Sequence, residues 1–221
     1  MSRRKDAQGF TGASLTARTA NQKHFIKEII AHCITLAYGP PGTGKTHVAV
    51  GMAAEMLRKN QIEKIVICRP VVPSGRDIGY LPGSMEEKLA PWLQPLYDEL
   101  SYYIDRRFIK QWMEQGTIEI VPLAMMRGRT FRDSFVILDE AQNATFDELK
   151  MFLTRIGEGT KMVAVGDLNQ SDLPRVDAGQ YEDVIDLLEG VDQLSIVELD
   201  RTDIVRHPMI GELEKRLNSI H

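Results

Sequence analysis

The 221 residues, 43% hydrophobic and 26% charged with a formal net charge of −4, suffice for one large domain with a sizeable core. No apolar run approaches the ~20 residues that a bilayer crossing needs, so a membrane span is excluded. The acidic balance also argues against a strong nonspecific binder of nucleic acid. Charge is spread unevenly: residues 1–69 carry 11 Lys+Arg against 4 Asp+Glu, whereas residues 133–200 carry 4 against 16. Carboxylates massed in that way either face solvent or hold a metal.

In chain order, residues 1–15 read as a flexible basic tail. The stretch "MSRRKDAQGFTGASLTART" lacks the apolar core of a secretion signal, so a cytoplasmic location is expected. "NQKHFIKEIIAH" has helical spacing, "ITLAY" reads as a buried strand, and "KTHVAVGMAAEMLRK" is a second helix. "KIVICRP" is the next strand, ended by Pro70, and residues 71–83 are loop. Helical segments follow in "MEEKLAPWLQPLYDELSYYI", where Pro91 and Pro95 are expected to break the helix or start turns, and in "RRFIKQWMEQ". "TIEIVP", "SFVILD", "KMVAVGD" and "LSIVEL" are four more strands, with helices at about 145–155 and 179–188 between the last three. A final helix is expected over residues 209–219. Cys33 and Cys68 read as small buried side chains, with neither a disulfide nor a zinc site expected. The alternation predicts an α/β fold: one domain, residues 16–221, built on a mostly parallel sheet with helices on both faces.

Three of the strands end in chemistry. Gly39-Pro40-Pro41-Gly42-Thr43-Gly44-Lys45-Thr46 fits the Walker A phosphate loop, G-x-x-x-x-G-K-[ST], between a strand and a helix. Glycines let backbone N–H groups close around an anion at the helix N-terminus, Lys45 reaches the outer phosphates, and Thr46 offers a hydroxyl to Mg²⁺. Phe135-Val136-Ile137-Leu138 leads to Asp139 and Glu140, a Walker B-type pair. Asp139 is placed to hold Mg²⁺, directly or through water, and Glu140 to activate the attacking water. Capping of the next helix is the plainer reading of such a pair taken alone. "GDLNQ" puts Gln170 past a neighbouring strand tip, either as a sensor of the terminal phosphate or as a solvated residue beyond an Asp167–Asn169 turn. Gln22 lies 17 positions before Gly39; an amide suits the adenine edge, yet an exposed helical Gln fits the spacing as well.

The order Gln22, "GPPGTGKT", "RPVV…GYLPG", "MRGRTF", "VILDEAQN", "GDLNQSDLP" and "DIVRHP" closely resembles the PhoH family, ATP-binding proteins related to the first lobe of superfamily 1 helicases. The resemblance runs from about Thr16 to the end of the chain. It implies a RecA-like P-loop ATPase that uses ATP and Mg²⁺. Lys45 and Thr46 would bind phosphate and metal, with Asp139 and Glu140 as the acids, Gln170 as sensor and Gln22 as adenine reader. Arg206 in "DIVRHP" is the implied arginine finger, with Arg201 as its competitor. With room for one lobe, the chain is expected to borrow that arginine from a neighbouring copy in a homo-oligomeric ring, such as a hexamer.

Single-stranded RNA or DNA is the partner that the resemblance implies, with Arg69 the leading contact. Arg127, Arg129 and Arg132 around Phe131, and Arg106, Arg107 and Lys110 beside Phe108, suit strand phosphates and bases. They suit a solvated face over a buried ring equally well. Two other function classes are weighed against the ATPase: a small-molecule kinase sharing the phosphate loop, and a non-catalytic ATP-binding switch. A nuclease fused to some relatives is not expected here.

Overall fold

Six runs rich in Val, Ile and Leu pair side by side in a computed structural model that describes residues 9–71, 85–174, 178–205 and 209, with the backbone alone at 85–92. Helix α1 (Ala20–Ala31) leads into β1 (Ile34–Tyr38), α2 (Lys45–Arg58) and β2 (Lys64–Arg69). Helices α3 (Met85–Tyr103) and α4 (Arg106–Glu114) precede β3 (Ile118–Pro122). Then come β4 (Ser134–Leu138), α5 (Phe146–Leu153), β5 (Lys161–Gly166), α6 (Gln180–Leu188) and β6 (Leu194–Glu198). The strand order is β3-β2-β4-β5-β1-β6, and every pairing is parallel.

Successive strand side chains alternate between two cores, as the period of two requires. Ala37, Ile65, Ile67, Ile137, Val163 and Val165 pack beneath α1–α4. Leu36, Val66, Cys68, Val136, Leu138 and Ala164 face the opposite way, toward α5 and α6. Burial on both sides is why these runs read as continuously apolar. Because β5 alone separates β1 from β4, the loops leaving these three strands emerge together at one carboxyl edge, the place where open α/β sheets take ligands. This is an α/β core with an all-parallel six-stranded sheet.

Three expectations are corrected. Helix α3 runs unbroken through Pro91 and Pro95. Its buried Leu93, Leu96, Leu100 and Tyr103 fall at helical spacing, and packing them holds a helix that the missing amide donors weaken. Residues 9–15 are anchored rather than free: the Thr11 amide donates to the Tyr103 carbonyl at 3.0 Å, the Asp105 amide donates to the Gly9 carbonyl at 2.8 Å, and Phe10 packs at a tilt against Trp112. Cys68 is buried, but Cys33 is only half-buried. The loop expected at 71–83 lies outside the described residues from position 72 onward, as does nearly all of the helix expected at 209–219. Among the described residues, no helix is long and apolar enough to cross a membrane.

Candidate active site

The phosphate loop joins β1 to α2, and its backbone leaves no room for side chains at two glycines. A Cβ on Gly39 would lie 2.0 Å from the Leu199 carbonyl oxygen. Gly44 caps α2 at φ +83, where a Cβ would also meet the Gln22 amide at 2.9 Å. The Gly39 amide donates to the Gly166 carbonyl at 3.2 Å, which ties the loop to the end of β5. Lys45 turns back over the loop and donates from Nζ to the carbonyls of Gly39 (2.5 Å) and Pro40 (2.8 Å). Its ammonium thus sits inside the curve of the loop, within reach of an anion held there.

The acidic pair arrives from β4. Thr46 Oγ1 donates to Asp139 Oδ1 at 2.8 Å, so the last residue of the loop motif and the first acid of the pair touch across 93 positions of sequence. Burial pushes the Asp139 carboxyl up to about 6, with the nearby Glu140 charge adding to the rise and Arg69 and the Thr46 hydrogen bond opposing it. Glu140 takes a left-handed backbone, φ 54 and ψ 45, and its carboxylate lies at the cleft. Helix capping does not account for the pair, because α5 has its own capping box from Thr145 and Glu148.

A cleft of about 300 Å³ brings Lys45, Thr46, Asp139, Glu140 and Gln170 together at the sheet edge. Gln170 lies just past a turn and at the cleft. Asp167 and Asn169 do form a turn, with the Asn169 amide donating to Asp167 Oδ1 at 3.0 Å, and Gln170, though exposed, still lines the cleft.

Gln22 is placed differently from a free adenine reader. It is buried, its Nε2 donates to the Thr43 carbonyl at 2.9 Å and its Oε1 accepts from the Arg18 amide at 2.8 Å. The amide therefore joins α1 to the phosphate loop, and reading a base would require exchanging both contacts. Arg206 lies outside the described residues. Arg201 is exposed on a short 3-10 turn, Arg201–Asp203, in a segment bound to the loop region. There the Leu199 amide donates to the Tyr38 carbonyl and the Val205 amide to the Gly42 carbonyl, at 2.8 and 3.1 Å.

Three of the six basic residues in the two basic-aromatic clusters make internal pairs, while Arg127, Arg132 and Lys110 are exposed. Arg129 binds Glu119 at 2.5 Å and lies over the buried Phe131 ring. Arg106 pairs with Asp98 and Arg107 with Asp105, each at 3.0 Å. Arg69 is turned to the acids instead: Nη2 contacts Glu140 Oε1 at 2.8 Å, and Nε lies 3.6 Å from Asp139 Oδ2.

Sequence reasoning missed two groups. Gln142 and Asn143, read only as part of a motif, form a buried amide layer. Gln142 donates to Glu140 Oε2 at 2.6 Å and accepts from the Asp167 amide at 3.0 Å, while Asn143 clamps Asp172 by two hydrogen bonds. His47, next to Thr46, bridges Glu99 (2.5 Å) and the Tyr103 hydroxyl (2.8 Å), bringing a carboxylate from α3 to the cleft wall. The pairing of His47 with Glu99 spans 52 positions, and no local pattern announces it.

Residues 14–218 match the family model described as PhoH-like protein. The chain belongs to the PhoH-like protein family. The PhoH-like protein of Mycobacterium tuberculosis (strain ATCC 25618 / H37Rv) is 44% identical over 202 residues, covering 91% of this chain and 57% of that protein. The PhoH-like protein of Bacillus subtilis (strain 168) is 44% identical over 202 residues, 91% of this chain and 63% of its own length. This PhoH-like chain thus spans somewhat more than half the length of these curated relatives. Among solved structures, the Sulfolobus solfataricus SWI2/SNF2 ATPase core in complex with dsDNA is similar at a TM-score of 0.49 and 15% identity, covering 85% of this chain and 45% of that one.

Proposed function

We propose that the chain binds ATP with Mg²⁺ in the cleft at the sheet edge and hydrolyses it, with turnover coupled to single-stranded RNA or DNA. The observation that carries this reading is the 2.8 Å contact of Thr46 with Asp139, which joins a phosphate loop to an acidic pair at one point. A hydroxyl and a carboxylate are hard oxygen donors and fit Mg²⁺; once bound, the ion would neutralise charge on the phosphates. The loop amides and Lys45 hold the phosphate chain. Glu140 accepts the proton of a water that attacks the terminal phosphorus, the bond from that phosphorus to its bridging oxygen breaks, and ADP leaves. Gln170 contacts the terminal phosphate, and Gln22 fixes the loop from behind or, after exchanging its partners, contacts the base. Arg206 or Arg201 of a neighbouring copy supplies the remaining positive charge.

Phosphate release tests the reading. Glu140→Gln is expected to lower turnover roughly 10²–10⁴-fold while ATP stays bound, and Lys45→Ala to abolish ATP binding. Wild-type turnover in the Gln variant would remove Glu140 from the chemistry. A second reading, an ATP-dependent binding switch without turnover, draws on the fact that both Glu140 oxygens already have donors, Arg69 and Gln142. Absence of phosphate release from wild-type protein, with or without strand, would favour it.

A further inference from the structure

Beside the nucleotide cleft lies a second cavity of about 400 Å³, bounded by Arg69, Glu140, Gln142, Asn143, Gln170 and Asp172. Glu140 and Gln170 line both spaces, so they form the shared wall. Arg69 is the one cation among the described residues lining the second cavity, and its guanidinium is directed at that wall, 2.8 Å from Glu140. Asp172, the other acid there, is held by Asn143. Gln142 and Asn143 are engaged within the protein, and the exposed Gln170 amide is the one that can meet a base or sugar edge.

We infer that Arg69 gates the site: it pairs either with Glu140 or with a backbone phosphate of a single strand entering the second cavity, so that strand binding and release of Glu140 to the nucleotide side are one exchange. This rests on the proposed hydrolytic reading and adds the residue that links strand to nucleotide. The guanidinium already lies against both Asp139 and Glu140, and turning it toward a strand phosphate loosens the Glu140 contact, so the two contacts compete. Gln142 keeps the second Glu140 oxygen throughout, and the freed carboxylate therefore pivots about a fixed point instead of leaving the wall. Any such competition is reciprocal: whatever draws Glu140 away from Arg69 strengthens the strand, and the strand favours the released carboxylate by the same factor. Arg69 is thus a positioning residue acting through Glu140.

Neutralising Glu140 should open the gate without any nucleotide. Binding of a labelled oligouridylate and a labelled oligothymidylate would be followed by anisotropy, in EDTA, for wild type, Glu140→Gln, Arg69→Gln and the double variant. Glu140→Gln is expected to bind about five- to tenfold tighter than wild type, Arg69→Gln more weakly than wild type, and the double variant no tighter than Arg69→Gln alone. A gain that persists without Arg69 would reflect only the removal of a negative charge and would overturn the gate, as would no gain in Glu140→Gln. Should Arg69→Gln not fold, Arg69→Lys replaces it, keeping the charge but losing the forked geometry, and is expected to shrink the gain. If no form binds either strand, the strand-coupled reading fails and the gate falls with it. If wild type binds a strand but Glu140→Gln gains nothing, the gate alone fails.

Discussion

Asp139 shows what the site costs the fold. Its carboxyl is 5% exposed and is pushed up to about 6, chiefly by burial. The native state therefore holds the Asp139 proton more tightly than the unfolded chain, whose carboxyl titrates near 3.8. Between those values stability falls as pH rises, and above about 6 the whole penalty is present, on the order of 3 kcal/mol. Asn in its place keeps the shape and carries no charge to desolvate. In EDTA, the urea midpoint of Asp139→Asn is expected to exceed that of wild type at pH 7.5 and to approach it at pH 5. Adding Mg²⁺ to an ATP-bound sample should stabilise wild type more than the variant, which keeps Lys45 and the loop but lacks the acidic oxygen for the metal. Equal pH dependence in the two proteins would mean that the buried charge is better compensated than the contacts of Thr46 and Arg69 suggest.

At the level of elements, helix α3 departs most from what its sequence suggests. Pro95 is exposed and helical, with no amide to donate, while Leu96 and Leu100 on the buried face keep the helix against the core. Pro95→Ala restores a donor at a solvated position, worth up to ~3 kcal/mol in a helix interior. The greater freedom of the unfolded alanine chain takes back about 0.4–1 kcal/mol. A net rise in thermal midpoint is expected, and a fall would mean that the proline ring makes a packing contact that alanine loses. The strands were legible because both faces are buried, which leaves uninterrupted apolar runs such as Phe135–Leu138. The phosphate loop was legible because close backbone approach demands glycine at fixed spacing, as at Gly39 against Leu199. What escaped depends on meetings across long stretches of chain. Gln22 is covered by the loop carbonyl of Thr43, His47 meets Glu99 of α3, and Phe10 meets Trp112. Local periodicity carries no record of such partners.

At the scale of the whole molecule, the segment after β6 decides how a complete site could form. It runs along the phosphate loop, fixed by Val205 on Gly42 and by the buried Asp203, whose carboxylate accepts from Asn21 at 2.9 Å and from the Asp200 amide at 2.8 Å. Arg201 projects from this anchored turn into solvent, on the side of the sheet that ends with β6, an edge strand. Such an arginine could serve its own loop or, in the proposed head-to-tail ring, that of the next copy, and Arg206 follows five positions later in the sequence. If the arginine acts between copies, two defective chains should complement each other. Lys45→Ala has no working phosphate loop but keeps its arginines, and Arg201→Ala or Arg206→Ala keeps the loop but lacks one of them. Lys45→Ala and the variant of the true finger are each expected to be nearly inactive alone, because a finger supplied in trans is worth about 10³–10⁵ in turnover, whereas the variant of the other arginine should keep its turnover. Mixed in equal amounts and allowed to exchange, the right pair should recover roughly a quarter of wild-type phosphate release, the share of contacts in a random ring that joins an intact loop to an intact arginine. The arginine whose variant complements is the finger, and recovery should vanish on dilution below the assembly concentration. No recovery with either variant, alongside full wild-type turnover at high dilution, would mean that each chain finishes its own site and that the ring has no part in the chemistry.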